Sequence, residues 1–184
     1  MTDIKSLIKE PLTNHEIYEF VPATRNKLIE YNELAQYNDI EDLLTHDKDF
    51  RIILIEYTNN SGHWIVVLRY GDTIELFNSF GKRDIKSNFV NDPQMNKMLG
   101  QASLHLHRLL INEKKEKKFR ILYNNKKLQR ESHSVNTCGR HVLSRIICLL
   151  ELNMNLEEYL KFMKRSKDKY KLKDYDEVVT VLIH

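Results

Sequence analysis

Between Arg51 and Asn78 the chain carries three strand-like runs separated only by turns, and this block restricts the fold more than any other stretch. RIILIEY at Arg51–Tyr57 and HWIVVLRY at His63–Tyr70 are nearly continuous apolar runs rich in Ile and Val, which suits strands in the middle of a sheet. Asn59-Asn60-Ser61-Gly62 is a turn by composition, and Gly71-Asp72 is a tight-turn pair after which TIELFN returns at Thr73–Asn78. With Gly71 and Asp72 as the turn, Tyr70 faces Thr73 and Asn78 lies across from Ile65. His63 then stands two residues further along the same face. Diagonal neighbours on one face are about 7–8 Å apart, so His63 and Asn78 can meet, and a single bulge would set them directly opposite. Both fall at strand ends beside loops, where side chains reach solvent and substrate. An Asn78 amide that holds Nδ1–H of His63 would fix the tautomer and leave Nε2 to take a proton. A structural His–Asn contact is the plainer reading of this pair alone.

The flanking segments read as helices. Thr13 or Asn14 can cap a short helix with Ile17, Phe20 and Val21 inward, and Pro22 ends it. The stretch before it, Met1–Pro11, is expected to be a frayed or docking arm. Asn26–Leu34 reads as a second short helical or irregular piece, and Asp39–Leu44 as a helical turn. Gly81–Pro93 is polar and loop-like. Gln94–Ile111 has helical spacing through Met95, Met98, Leu99, Ala102, Leu106, Leu109 and Leu110. FRILY at Phe119–Tyr123 is a fourth strand. Leu156–Lys164 is predicted helical, and Asp176–Ile183 closes as a helix with Asp174 or Asp176 near its N-cap, or else as a strand, the helix being favoured. Strands in the middle and helices at both ends predict an α+β fold, a small central mixed sheet with a hairpin flanked by helices.

Within that frame, Cys138 stands out. A polar loop from Gln129 runs into Asn136-Thr137-Cys138-Gly139, and an apolar helical pattern starts at once through Val142, Leu143, Ile146, Ile147, Leu149 and Leu150. Asn136 or Thr137 can serve as N-cap, which puts Cys138 at the first turn of a largely buried helix. There the macrodipole and free N–H groups favour thiolate over thiol, so Cys138 is a candidate nucleophile. A small buried cysteine at a helix start is the bland alternative. His63, Asn78 and Cys138 supply a base, an orienter and a nucleophile, and Gln129 can add a side-chain donor to the amides of the helix start.

Composition narrows the class. One domain, residues 1–184, is expected at this length, and 41% hydrophobic with 30% charged residues is ordinary for a globular protein. A net charge of +3 is too small to assert a nucleic-acid partner. Cys138 and Cys148 are ten residues apart on one predicted helix, about 15 Å of rise and beyond disulfide reach. A reducing, intracellular setting follows. Neither a signal peptide nor a membrane span is expected. His105 and His107 are two apart on a helix and form a poor metal pair, and His133 and His141 flank Cys138 without a second suitably spaced cysteine, so no metal is expected. No glycine-rich phosphate loop occurs, and no cofactor is expected.

Gly62-His63-Trp64, then Leu76-Phe77-Asn78-Ser79-Phe80-Gly81, then Gln129 and Thr137-Cys138-Gly139 resemble, in order, the signature of the adenovirus-proteinase/SUMO-protease superfamily of cysteine peptidases. Cys138-Gly139-Arg140-His141, with Leu12-Thr13-Asn14 and Tyr31-Asn32-Glu33-Leu34, looks most like maturation proteases of virophages and Polinton-type elements. The resemblance implies an adenain-like cysteine peptidase domain with His63 as general base, Cys138 as nucleophile, Asn78 as orienter and Gln129 in the oxyanion hole. Two departures are evident: Asn78 stands where relatives carry an acid, and Gln129 precedes Cys138 by nine residues where relatives have six or seven. It also implies capsid and other virion precursor polypeptides as substrates, cut at small-residue sites, in the virion and the viral factory of the host-cell cytoplasm. Viral DNA is a candidate stimulator, with Lys114–Lys118, Lys126–Arg130 and Lys161–Lys173 as basic stretches. A ubiquitin- or SUMO-like deconjugase is the alternative within the same chemistry, and a non-catalytic basic nucleic-acid- or capsid-binding protein the alternative outside it.

Overall fold

A computed structural model describes residues 3–58, 61–81, 93–116 and 118–184. Five strands, β1 (Leu28–Glu30), β2 (Phe50–Thr58), β3 (Ser61–Tyr70), β4 (Thr73–Phe77) and β5 (Arg120–Tyr123), form one sheet in sequence order. The outer pairs β1·β2 and β4·β5 are parallel, and β2·β3 and β3·β4 are antiparallel. The hairpin takes the predicted register, with Tyr70 opposite Thr73 and Val66 opposite Phe77. The bulge lies elsewhere, between Glu56 and Thr58 of β2.

Alternation along the strands splits the core into two layers. Trp64, Val66, Leu68 and Phe77 face one side, under helices α2 (Asn14–Phe20), α6 (Cys138–Leu150), α7 (Leu156–Lys169) and α8 (Tyr175–Leu182). Ile65, Val67, Ile74 and Leu76 face the other, against Leu106, Leu109 and Leu110 of α5 (His105–Glu116) and Leu43 of α3 (Ile40–Leu43). The α+β architecture with a central mixed sheet and a hairpin is therefore present, with Cys138 as the first residue of a helix buried along most of its length. Among the described residues, no helix is long and apolar enough to cross a membrane.

Two segments depart from expectation. Leu28–Glu30 is a strand rather than a helical or irregular piece, because it pairs with β2 from outside its own sequence neighbourhood, opening with the Ile52 amide donating to Lys27 O at 2.8 Å. The predicted Gln94–Ile111 helix is two, α4 (Pro93–Met98) and α5. Gly100 breaks it at φ 68°, and the Gln101 side chain leaves to bond both main-chain groups of Glu56, at 2.8 and 2.9 Å. Of the Met1–Pro11 arm, expected to fray or to dock, residues 3–11 dock: α1 (Ile4–Leu7) leads to buried Ile8 and Leu12, and the Asn136 amide donates to Ile8 O at 2.8 Å. Residues 82–92 of the polar loop lie outside the described residues. Thr13 caps α2 in a full capping box with Glu16, and Asp174 caps α8.

Two buried charge clusters pin the layers together. Arg145 of α6 forms a bidentate pair with Glu75 of β4, Nε to Oε1 at 2.8 Å and Nη2 to Oε2 at 2.7 Å, with neither side chain exposed. Tyr70 Oη donates to the same carboxylate at 2.7 Å, and Arg145 Nη1 donates to Met154 O at 3.1 Å. Removing one partner of such a pair leaves an uncompensated buried charge, so Glu75→Gln is expected to cost about 3–5 kcal/mol. Urea unfolding should show this as a lower midpoint at unchanged slope. A loss within the range of surface substitutions would mean that the pair does not hold α6 on the sheet.

At the other end of β2, buried Asp49 accepts from Lys27 Nζ, Arg51 Nη1 and the Thr45 and Phe50 amides. Burial alone would raise this carboxyl; the Lys27 ammonium and the other donors outweigh it and bring it down to about 2. A depressed carboxyl contributes stability that is complete above its unfolded value near 3.9 and is lost as pH falls through its folded value. The wild type should therefore lose about 2 kcal/mol more than Asp49→Asn on acidification from about pH 5 to pH 2, read as the difference in their denaturant midpoints.

Candidate active site

Helix α6 begins at Cys138 because the loop before it is held from two sides. The Asn136 side chain donates to Lys9 O at 2.7 Å, and Arg140 Nη1 donates to Glu10 O at 2.6 Å, so the N-terminal arm straps the helix start. Asp176 at the start of α8 closes the other side. Its Oδ1 accepts from Thr137 Oγ1 at 2.5 Å and from His141 Nε2 at 3.2 Å, while its Oδ2 accepts from the amide and Nε of Arg130, both at 3.1 Å. Burial alone would raise the Asp176 carboxyl, but the bonds from His141 and Thr137 prevail and hold it below the usual range. Contrary to expectation, neither Asn136 nor Thr137 caps α6 with its side chain. Both polar groups are used across the fold instead. No local signal in the sequence joins Arg130, Thr137 and His141 to Asp176, up to 46 residues away.

The sulfur sits where the sheet runs out. The β3·β4 ladder ends at Val66–Phe77, so Trp64, two residues on and hence directed to the same side, has no β4 residue opposite. Its amide lies within reach of Cys138 Sγ and, with the amides of Gly139 and Cys138, favours negative charge on the sulfur. The fit at the helix start is tight: a Cβ on Gly139 would stand 3.2 Å from Leu12 Cβ and 3.5 Å from Trp64 Cδ1. The expectation of a stabilised thiolate is corrected here. Burial is the largest influence and raises the Cys138 thiol, and the three amides and Arg140 offset it only in part. Cys138 therefore rests as a thiol at neutral pH and needs a base. Cys148, in the core of α6, is pushed up by burial to about 11. Tyr57 is near enough to feel the charge of Cys138; burial first, then Cys138 and Glu131, push it up to about 12, so it stays a donor phenol.

His63 and Asn78 do meet: His63 Nε2 lies 2.9 Å from Asn78 Oδ1. The ring is reversed from the expected orientation, which had Nδ1 held. Asn78 Oδ1 also accepts the Phe80 amide at 3.0 Å, which fixes it as the oxygen of the side chain. An oxygen there can only accept, so His63 carries its proton on Nε2 and the basic lone pair is on Nδ1. Phe80 stacks on the imidazole with centroids 4.3 Å apart and planes 13° apart. The turn that delivers Asn78 and Phe80 requires Gly81, at φ 68° with no room for a Cβ, which would stand 2.6 Å from the Lys126 carbonyl carbon.

Gln129 is buried and ties that turn to the loop before Cys138. Its Oε1 accepts from Ser79 Oγ at 2.7 Å, its amide donates to Ser79 O at 3.0 Å, and its Nε2 donates to Val135 O at 3.4 Å. The carboxamide thus bridges both sides of the site. Arg130, counted in the sequence among the basic stretches, is committed to Asp174 and Asp176, and Lys127 and Lys161 pair with Glu131 and Glu157. Among the described residues no group of three or more metal-ligating side chains is assembled.

Cys138 and Trp64 line one end of a cleft of about 600 Å³ between the start of α2 and the β1–β3 face of the sheet, where Leu28, Leu54 and Tyr18 also border it. The structure brings His63 and Asn78 together and sets Cys138 in the cleft beside Trp64, the residue after His63; the described residues that line the cleft include Cys138 and Trp64 but not His63.

No protein-family model matches the chain. It is 27% identical to "Uncharacterized protein V9" of Sputnik virophage over 99% of each chain. Among solved structures it is similar to SUMO protease Ulp1 with its catalytic cysteine oxidized to a sulfenic acid, at 16% identity and TM-score 0.40, over 99% of this chain and 81% of that one. It is also similar to the ASFV pS273R protease, at 17% identity and TM-score 0.44, over 96% of this chain and 68% of that one.

Replacing the neutral orienter should change the thiol. Asn78→Asp keeps the acceptor oxygen and adds a charge that favours imidazolium, so iodoacetamide should modify Cys138 faster at pH 6–7 than in the wild type. Asn78→Ala should slow it. Equal rates in all three proteins would show that His63 does not govern the sulfur.

Proposed function

We propose that the protein is a thiol endopeptidase that cuts capsid or other virion precursor polypeptides during particle maturation. The observation that carries the reading is the Cys138 sulfur at a cleft, within reach of the Trp64 amide, with His63, the residue before Trp64, held in one tautomer by Asn78. Similarity along nearly the whole chain to a virophage protein supports the viral setting.

In this mechanism a scissile peptide lies in the cleft with its carbonyl carbon against Sγ. As Sγ bonds to that carbon, the thiol proton passes to His63 Nδ1 and the carbonyl π electrons move onto oxygen. The amides of the α6 start and a carboxamide hydrogen of Gln129 are the donors to the resulting oxyanion. Collapse of the oxyanion breaks the C–N bond, and the amine leaves with the proton from His63. Water then attacks the thioester, His63 takes its proton, and Sγ departs as the acid product forms. Asn78 keeps Nε2–H directed away throughout, so that Nδ1 is the nitrogen that cycles. Trp64, packed beside the sulfur, shields the centre from bulk water.

The decisive experiment is co-expression with a capsid precursor. Wild type should process it, and Cys138→Ser and His63→Ala should each lose about two or more orders of magnitude in rate. Mass spectrometry after brief alkylation should find Cys138 modified and Cys148 untouched. A precursor cut equally well by wild type and Cys138→Ser would overturn the assignment. Efficient release of a ubiquitin-like domain, with no cleavage of the precursor, would favour the deconjugase.

A further inference from the structure

The cleft that ends at Cys138 carries its own charge pattern. Strand register sets Glu30 of β1 opposite Leu54 of β2, and Leu54 opposite Trp64 of β3. Residues paired in this way project from one face of a sheet, so Glu30, Leu54 and Trp64 form a single row across it that ends beside the sulfur. Glu33 follows in the 3₁₀ turn Tyr31–Gln36 and also borders the cleft. Both carboxylates are exposed, and among the described residues no lysine or arginine lines the cleft, although the chain as a whole is net positive. Between the acidic end and the sulfur the floor is apolar: Leu28, Leu54 and Trp64.

We infer that this row reads the substrate, which is an extended peptide with a basic residue about three positions from the scissile bond. The inference rests on the endopeptidase reading. Its spacing follows from the sheet: two interstrand steps of about 4.8 Å separate Trp64 from Glu30, and an extended peptide advances about 3.3 Å per residue. A peptide laid along the row with its carbonyl at Cys138 places a small or apolar side chain over Leu54 and brings a lysine or arginine to Glu30 and Glu33. The carboxylates are already ordered. Glu33 Oε2 accepts the Glu30 amide at 2.6 Å, and the Glu30 side chain accepts the Glu33 amide in return, so little side-chain freedom remains to be lost when a cation arrives.

The reciprocal caps also dictate the variants. Glutamine keeps an acceptor oxygen at each cap while removing the charge, so Glu30→Gln/Glu33→Gln should fold like the wild type and cut neutral peptides at the same rate. The test is a series of fluorogenic peptides with a small-residue cleavage site and a single lysine moved along about four positions on either side. On the wild type, kcat/KM should rise about fivefold or more with lysine near the third position on one side, and the gain should shrink at high salt. The double glutamine variant should show no such peak. In parallel, fluorescence polarisation of the same peptides on Cys138→Ala reads binding without turnover and should give the same lysine dependence. Cysteine-dependent cleavage with a flat lysine profile would overturn the specificity and leave the endopeptidase standing. Lysine-dependent binding with no cleavage would keep the acidic row as a reader of basic peptides and remove the endopeptidase. Neither cleavage nor lysine-dependent binding would overturn both.

Discussion

One guanidinium taken entirely out of water sets the geometry of this protein. Arg145 stands seven residues, two helical turns, beyond Cys138, so the two side chains project from the same side of α6. Its bidentate grip on Glu75 therefore fixes the rotation of the helix about its axis as well as its distance from the sheet. Glu75 in turn lies two residues before the end of β4, and the end of β4 is what leaves the Trp64 amide for the sulfur. A lysine at 145 could supply the charge but not the planar fork, and the helix would be free to roll. The pair is costly to bury. What it secures is registration between a helix end and a strand end, the one relation on which the sulfur's position depends.

Rotation alone does not fix the residues just before the helix, and Asp176 does that. A single buried carboxylate gathers two donors from Arg130, one from Thr137 and one from His141, on both sides of Cys138. Because α8 supplies it, the C-terminal helix is part of the site although none of its residues faces the cleft. The N-terminal arm has the same role from the opposite side through Ile8, Lys9 and Glu10. Both ends of the chain thus converge on one loop, and the cleft is bounded by the segment where the arm runs into α2.

What could be read in advance, and what could not, follows the range of the interactions. The hairpin register was legible because Gly71-Asp72 leaves a two-residue turn and the period of two does the rest. The start of α6 was legible because an apolar period begins at Cys138. β1 escaped because three residues are too few to display a period, and its pairing with β2 is non-local. Thr137 was assigned to the helix cap by a local rule, and a carboxylate 39 residues away won its hydroxyl. The imidazole was placed beside Asn78 by register, yet register says nothing of which ring nitrogen turns inward. That was decided by the Phe80 amide, which claims the same oxygen. The thiol was misjudged for a related reason: a helix terminus is visible in a sequence, and the completeness of burial that outweighs it is not.

These last two features belong together. An acid beside the imidazole would favour a thiolate–imidazolium pair, at the cost of burying charge. An amide at 78 offers no such charge, and burial of the sulfur raises the Cys138 thiol, so the thiol is its resting form. The amides of Trp64, Gly139 and Cys138 favour negative charge on the sulfur and offset that burial in part, so their dipoles are in place before the proton leaves and need not reorganise when it does. A resting thiol makes the nucleophilicity of the sulfur depend on removal of its proton rather than on a standing thiolate.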